Sequence, residues 1–246
     1  LRGDALADAT VAEIDKAGNT AAVARLLSTL MRDDPASDRA TVGPADLGPQ
    51  VADYVAATAI VDARSADTAA AGERMFAEYG PEIMMLLCCY SLPSSYAAKN
   101  GVQVLHRTAY LAKRPNRRLF ETAQFIVDVL SPGGLGPRGK GVRTAQKVRL
   151  MHAAIRHLIV TDAMAPWDMT ALGVPINQED LLGTLMTFTW LILDGLARLG
   201  LASRSVQHVV DLTEVDPRHQ RLLLAEQITH GLGRRARVLE VAEDRP

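Results

Sequence analysis

Lys147-Val148-Arg149-Leu150-Met151-His152-Ala153-Ala154-Ile155-Arg156-His157-Leu158 contains no glycine or proline and reads as one turn after another of α-helix. Side chains three, four and seven apart share a helix face, which puts Val148, His152, Ile155 and Ile159 on one apolar stripe. Arg149 and Arg156 stand three before and four after His152 and so flank it. An imidazole on an apolar stripe beside two guanidinium groups is disfavoured as imidazolium. A neutral imidazole is a metal ligand, and two arginines suit an anionic cofactor or substrate. The plainer alternative is a core histidine bonded to a neighbouring helix. His157 lies roughly 140° away around the axis, so one metal cannot readily take both histidines.

The same grammar extends outward over most of the 246 residues. Helical patterns are expected at 4–16, 19–32, 49–62, 66–79, 82–91, 102–112, 117–130, 143–161, 177–199, 203–211 and 217–231, with hardly any strand-like alternation. The expected class is all-α, as a single helical domain over residues 1–246. Aromatic residues make up only 4%, so Ala, Leu and Val must do the packing, which favours helices. Breakers separate the segments: Gly80-Pro81 splits two helices, Pro93 stops an apolar one, and Asn177 with Glu179 and Asp180 opens another. A formal net charge of -1 gives no argument for nucleic acid. The adjacent Cys88 and Cys89 are too close to pair readily and read as core thiols. The apolar runs Ile83–Tyr90 and Leu185–Leu193 are too short to span a bilayer, so no transmembrane segment is expected. No signal peptide is visible, but the chain opens on Leu1, so that says nothing about export.

Ser131–Gly141 (SPGGLGPRGKG) invites comparison with a phosphate cradle. It lacks the Gly-Lys-Ser/Thr ending and no strand precedes it, so a mobile connector is the stronger expectation. A second polar stripe falls in 117–130, where Arg118, Thr122, Phe125 and Val129 share a face, with Glu121 and Ile126 beside it. Burying an arginine and a hydroxyl is costly unless they are paired or used. The alternative is an Arg118–Glu121 surface pair one turn apart. His106, His208, His219 and His230 sit on polar or mixed segments and receive no role.

The block Thr144-Ala-Gln-Lys-Val-Arg-Leu-Met-His-Ala-Ala-Ile-Arg-His-Leu158 resembles the core motif of the latex clearing proteins. These are rubber oxygenases within the wider group of MpaB-type oxygenases. Pro81–Tyr96 (PEIMMLLCCYSLPSSY), Arg118–Thr122 and Trp167–Leu185 (WDMTALGVPINQEDLLGTL) agree in kind and order, so the likeness covers roughly residues 70–200. The resemblance implies a globin-like packing of helices around a b-type haem, with His152 as its iron ligand and Arg149 and Arg156 as candidates for the propionates. It implies Arg118 and Thr122 as the catalytic residues on the side where dioxygen and substrate meet. The implied reaction is cleavage of the double bonds of cis-1,4-polyisoprene into oligo-isoprenoids with aldehyde and ketone ends, by a secreted monomer.

This chain departs from that pattern in places. Glu121 stands where many members carry a lysine just before the threonine. Gln103 lies near the place of a glutamate proposed as a base, and an amide cannot abstract a proton as a carboxylate can. The stretch between Leu199 and Glu214 is also short. Two other functions stay open at this point: oxygenation of a smaller isoprenoid or lipid, and haem binding without catalysis.

Overall fold

The computed structural model describes residues 2–32, 48–59, 66–108, 115–137 and 139–201, together with 204, 206, 207 and 209; of residues 31–32 and 115–118 it describes the backbone. Every regular element among them is helical: α1 (Ala5–Arg32), α2 (Pro49–Ala57), α3 (Ala66–Leu86), a π-turn (Leu87–Ser91), α4 (Leu92–Ser95), α5 (Lys99–Arg107), α6 (Pro115–Leu130), α7 (Lys140–Thr161), α8 (Met169–Leu172) and α9 (Gln178–Arg198). The segment 217–231 and most of 203–211 lie outside the described residues. Two compact units result, Leu1–Glu73 with Pro115–Gln178, and Arg74–Arg114 with Glu179–Pro246.

The first unit is built around α7. Its core gathers Ala7, Val11, Val23 and Leu26 of α1, Tyr54 of α2, and Leu150, Ala153 and Ala154 of α7. Alanines at 153 and 154 let α1 approach α7 closely. That choice decides which face of α7 is buried: Gln146, Leu150, Ala153, Ala154, Arg156 and Ile159 are inside. The expected inner stripe is therefore displaced. Of its members only Ile159 is fully buried, and Val148, His152 and Ile155 are half-buried. Nearly every position from 148 to 160 carries apolar or long aliphatic groups, so periodicity alone does not select a face.

α1 breaks where the pattern broke. Asn19 takes φ 61 and ψ 179, and its side-chain oxygen accepts from the Ala21 amide at 2.9 Å, restarting the helix. α6 and α7 are joined by a connector whose described residues are closed by backbone hydrogen bonds. Gly134 N donates to Ser131 O at 2.7 Å, Gly139 N to Gly136 O at 2.8 Å, and Val142 N to Gly134 O at 3.2 Å. A Cβ on Gly141 would stand 2.7 Å from Val129 Cα, so the glycine there lets two helix ends touch. Beneath it the buried Asp128 accepts from Gln124 at 2.8 Å and from Thr144 at 2.7 Å, bolting α6 to α7.

In the second unit α3 kinks at Tyr79, just before Gly80-Pro81. Pro93 does not stop the helix. The chain widens into the π-turn and then re-forms α4 with the proline in its first turn, where a missing N–H is tolerated. Ser91 is fully buried and its Oγ has no hydrogen-bond partner among the described residues. Cys88 is half-buried and Cys89 exposed, so the pair is not a pair of core thiols. Burial, with the neighbouring Cys89, raises the Cys88 thiol above its ordinary value. Tyr90 donates to Asp194 at 3.2 Å, and Arg198 holds the same carboxylate at 2.7 Å. The run Leu185–Leu193 lies within α9, whose bounds agree with the helix expected at 177–199. By length and composition the 21-residue α9 suffices to cross a bilayer, a test that core helices of soluble proteins also pass.

Near the end of the first unit's second segment, Ile176 has φ 50, a left-handed conformation rare for a β-branched residue. At such a position glycine should outperform alanine, reversing the usual order. We expect Ile176→Gly to be about 1 kcal/mol more stable than Ile176→Ala. That is a few degrees in thermal midpoint by calorimetry. A more stable alanine variant would mean that the turn is not left-handed in solution.

Candidate functional site

The residues singled out from sequence lie on two adjacent helices of the first unit. α6 carries Arg118, Glu121 and Thr122; α7 carries Arg149, His152 and Arg156. The Asp128–Thr144 bond fixes how far along α7 each residue of α6 sits. Thr122 is six residues back from that bond on α6, roughly 9 Å, and His152 eight residues on along α7, roughly 12 Å. Counted from that bond, the two positions differ by about 3 Å along their own helices. Thr122, Glu121 and His152 are half-buried, whereas Ile126, one turn after Thr122, is buried. The side chain of Arg118 lies outside the described residues, so the Arg118–Glu121 pair is not described either.

The two arginines of α7 are engaged elsewhere. Arg149 Nε donates to Asp4 Oδ2 at 2.7 Å and its Nη2 to Asp4 Oδ1 at 3.1 Å. Its guanidinium carbon also stands 5.8 Å from the centre of the Tyr54 ring. Arg156, only 5% exposed, donates from Nε to Asp8 at 3.1 Å and from Nη1 to Ile176 O at 3.0 Å. His157 Nε2 lies 3.4 Å from Asp15 Oδ1. Seven residues separate Arg149 from Arg156, so they share one stripe about 20° apart rather than straddling His152. Asp4, Asp8, Val11 and Asp15, spaced four, three and four, share the facing stripe of α1.

Asp4 has a second task. It accepts from the Ala7 amide at 3.2 Å and so caps the start of α1. Burial lifts its carboxyl, but hydrogen bonds from Arg149 and Ala7, with the charges of Arg149 and Arg156, outweigh this and leave it below the ordinary carboxylate value. Asp8 goes the other way: burial raises it by more than Arg156 lowers it. Burial pushes the Tyr54 hydroxyl up to about 12; it donates to Gln146 O at 3.1 Å, tying α2 to α7.

Residues 68–231 match the catalytic domain described as that of the ER-bound oxygenase mpaB/B' and of rubber oxygenase. The chain belongs to this family. No curated protein and no solved structure matches it. The mpaB/rubber oxygenase domain thus takes in α6, α7 and α9, with Arg118, Thr122, Arg149, His152 and Arg156. An oxygenase of this family implies dioxygen and a hydrophobic substrate. Asp4, Asp8 and Asp15 lie outside the matched span, and sequence reasoning missed them. Their signal was present: three carboxylates at helical spacing on the stripe that carries Val11. What they would face 145 and 148 residues away was not. Ser91 and Ile176 were missed as well, since neither a π-turn nor a left-handed isoleucine has a sequence signature.

Asp4→Asn keeps a capping oxygen but removes the charge and one of the two oxygens that accept from Arg149. Because the folded carboxyl titrates below its ordinary 3.8, its contribution is complete above that value and disappears as pH falls through the lower folded one. We expect Asp4→Asn to lose about 1 kcal/mol in urea unfolding at pH 7, a figure discounted for solvent screening. The deficit should shrink below pH 4. A deficit independent of pH would mean that shape, not charge, is lost.

Proposed function

We propose that this oxygenase domain binds a b-type haem through His152 and cleaves the double bonds of cis-1,4-polyisoprene with dioxygen. The reading is carried by the place of His152, a half-buried imidazole on the helix face of Val148 and Ile155 within the matched oxygenase domain. The donor set fits a haem. Among the described residues no three of His, Cys, Asp or Glu converge as a multi-ligand iron centre would require. Of the described histidines, His106 is exposed and His157 lies beside Asp15, which leaves His152 as the imidazole to offer iron, the usual proximal ligand of haem.

A haem held there would supply the redox chemistry that activates dioxygen. The protein's own residues bind and orient. Thr122 has a hydroxyl to donate to an oxygen atom near it, and Arg118, one turn earlier on α6, a fixed positive charge. An alkene accepts no useful hydrogen bond, so the site must select by shape and dryness. Arg149 and Arg156 were candidates for the propionates; their charges are matched by Asp4 and Asp8, and we read them as anchors instead. Since the family match runs through segments of both units, we take residues 1–246 as one catalytic domain. An insoluble polymer is met outside the cell, where we place the protein, acting as a monomer.

His152→Ala should lose haem and His157→Ala should keep it, read as the haem-to-protein ratio of each purified variant. Full haem in the His152 variant would end the ligand assignment. Arg118→Ala and Thr122→Ala should retain haem yet slow oxygen uptake with a polyisoprene emulsion by about 10²–10³. Unchanged rates in both would move the reaction elsewhere. A haem protein active only on short isoprenoids would favour the smaller-substrate oxygenases of the family, and an inactive one a binding role.

A further inference from the structure

We propose that Arg156 is a positioning residue for His152, holding the roll of α7 about its own axis through Asp8 and the left-handed turn at Ile176. The inference rests on the reading of His152 as the iron ligand. Arg156 stands one turn after His152 and is almost wholly buried. Its guanidinium is held from two separate stretches of chain. Asp8 of α1 accepts from Nε at 3.1 and 3.3 Å. The carbonyls of Pro175 and Ile176 accept from Nη1 at 3.5 and 3.0 Å.

The surroundings crowd the group, although its Nη2 makes no hydrogen bond among the described residues. The backbone at Gly3 passes so close that a Cβ there would stand 2.7 Å from Arg156 Nε. Gln178 N donates to Arg2 O at 2.9 Å, stitching the start of α9 to the same strand of backbone. Asn177, 1% exposed, donates to Val174 O at 2.9 Å and closes the turn from the other side. Ile176 is held at φ 50 in the middle of these contacts. Strain of this kind persists only where the surroundings over-determine it.

Arg149 supplies a second fixed point on the same stripe, one turn before His152, with its two bonds to Asp4. A helix pinned by charge one turn before and one turn after a residue can neither roll nor slide there without stranding a partly buried charge. The imidazole of His152 leaves the axis roughly 40–60° around from that stripe. Its direction is therefore set by the arginines although neither is its bonding partner. A lysine at 156 would keep the charge but could not reach a carboxylate and two carbonyls from one planar group.

The test compares full-length Arg156→Lys and Arg156→Ala with Tyr54→Phe, which removes a different bond to the same helix. Three quantities are read: thermal midpoint, the ring 1H–13C correlation of His152 in haem-free protein labelled at histidine, and the electron paramagnetic resonance spectrum of the ferric haem-loaded protein. The His152 signal is assigned with His152→Gln. Arg156→Lys should stay folded, move the His152 correlation by more than its linewidth, and change the ferric spectrum. Tyr54→Phe should lower the midpoint and leave both spectra in place. An unmoved His152 correlation in Arg156→Lys, or an equal movement in Tyr54→Phe, overturns the proposal; should Arg156→Ala fail to fold, Arg156→Lys still decides. Wild-type protein that takes up no haem overturns the ligand reading itself, an outcome distinct from a haem-loaded protein whose His152 ignores Arg156.

Discussion

The pairing of Asp4 and Asp8 with Arg149 and Arg156 is the constraint on which the first unit depends. Hydrophobic contact alone would let α1 settle on α7 in several registers, because Val, Leu and Ala are interchangeable against an apolar surface. Charges are not. The buried guanidinium of Arg156 would be stranded without its carboxylate at a cost of several kcal/mol, whereas the more exposed Arg149 pair contributes about 1 kcal/mol. The ion pairs thus choose one register, and the small side chains of Ala153 and Ala154 then allow the close approach that buries Val11 and Leu150. Specificity comes from the charged groups and most of the stabilisation from the apolar ones.

That division explains which parts of the fold were legible in the sequence. Helix boundaries are local events, and they were readable from particular residues: Asn19 restarting α1, Gly80-Pro81 beside the kink at Tyr79, and Glu179 and Asp180 in the first turn of α9. The face that a helix buries is a tertiary event. In α7 the apolar pattern continues all the way round, so the pattern that pointed to the stripe through Val148 and Ile155 could not reveal that Leu150 and Ala154 are buried instead. The arrival of α1 decided between them. The Ser131–Gly141 connector shows the same limit in reverse. Its glycines suggested freedom, but Gly141 is there because Val129 leaves no room for a Cβ.

The candidate site was legible to a different degree. His152, Arg118 and Thr122 could be named because ionisable or hydroxyl groups on an otherwise apolar helix face are unusual. How far Thr122 and His152 each stand from a shared point could not be read, since that point is the buried Asp128 and its bond to Thr144. The partners of Arg149 and Arg156 were hidden from the sequence for a related reason. Two arginines beside a histidine suggest an external anion, and nothing local reveals that Asp4 and Asp8 stand opposite.

The two sides of α7 therefore answer opposite demands. Toward α1 the helix carries charge that must be neutralised, and each guanidinium there finds a carboxylate. Some 50° around the axis it carries a half-buried imidazole flanked by aliphatic groups, where an uncompensated charge would be out of place. An oxygenase acting on a hydrophobic substrate needs the second environment dry and the first one rigid. With both on one helix, rigidity is transmitted over a single turn rather than across the protein. The left-handed Ile176 extends that arrangement to the next segment, because the same arginine that faces Asp8 also holds the Ile176 carbonyl. Relaxing the turn would mean withdrawing an acceptor from a buried cation, so the backbone strain and the ion pair stabilise one another.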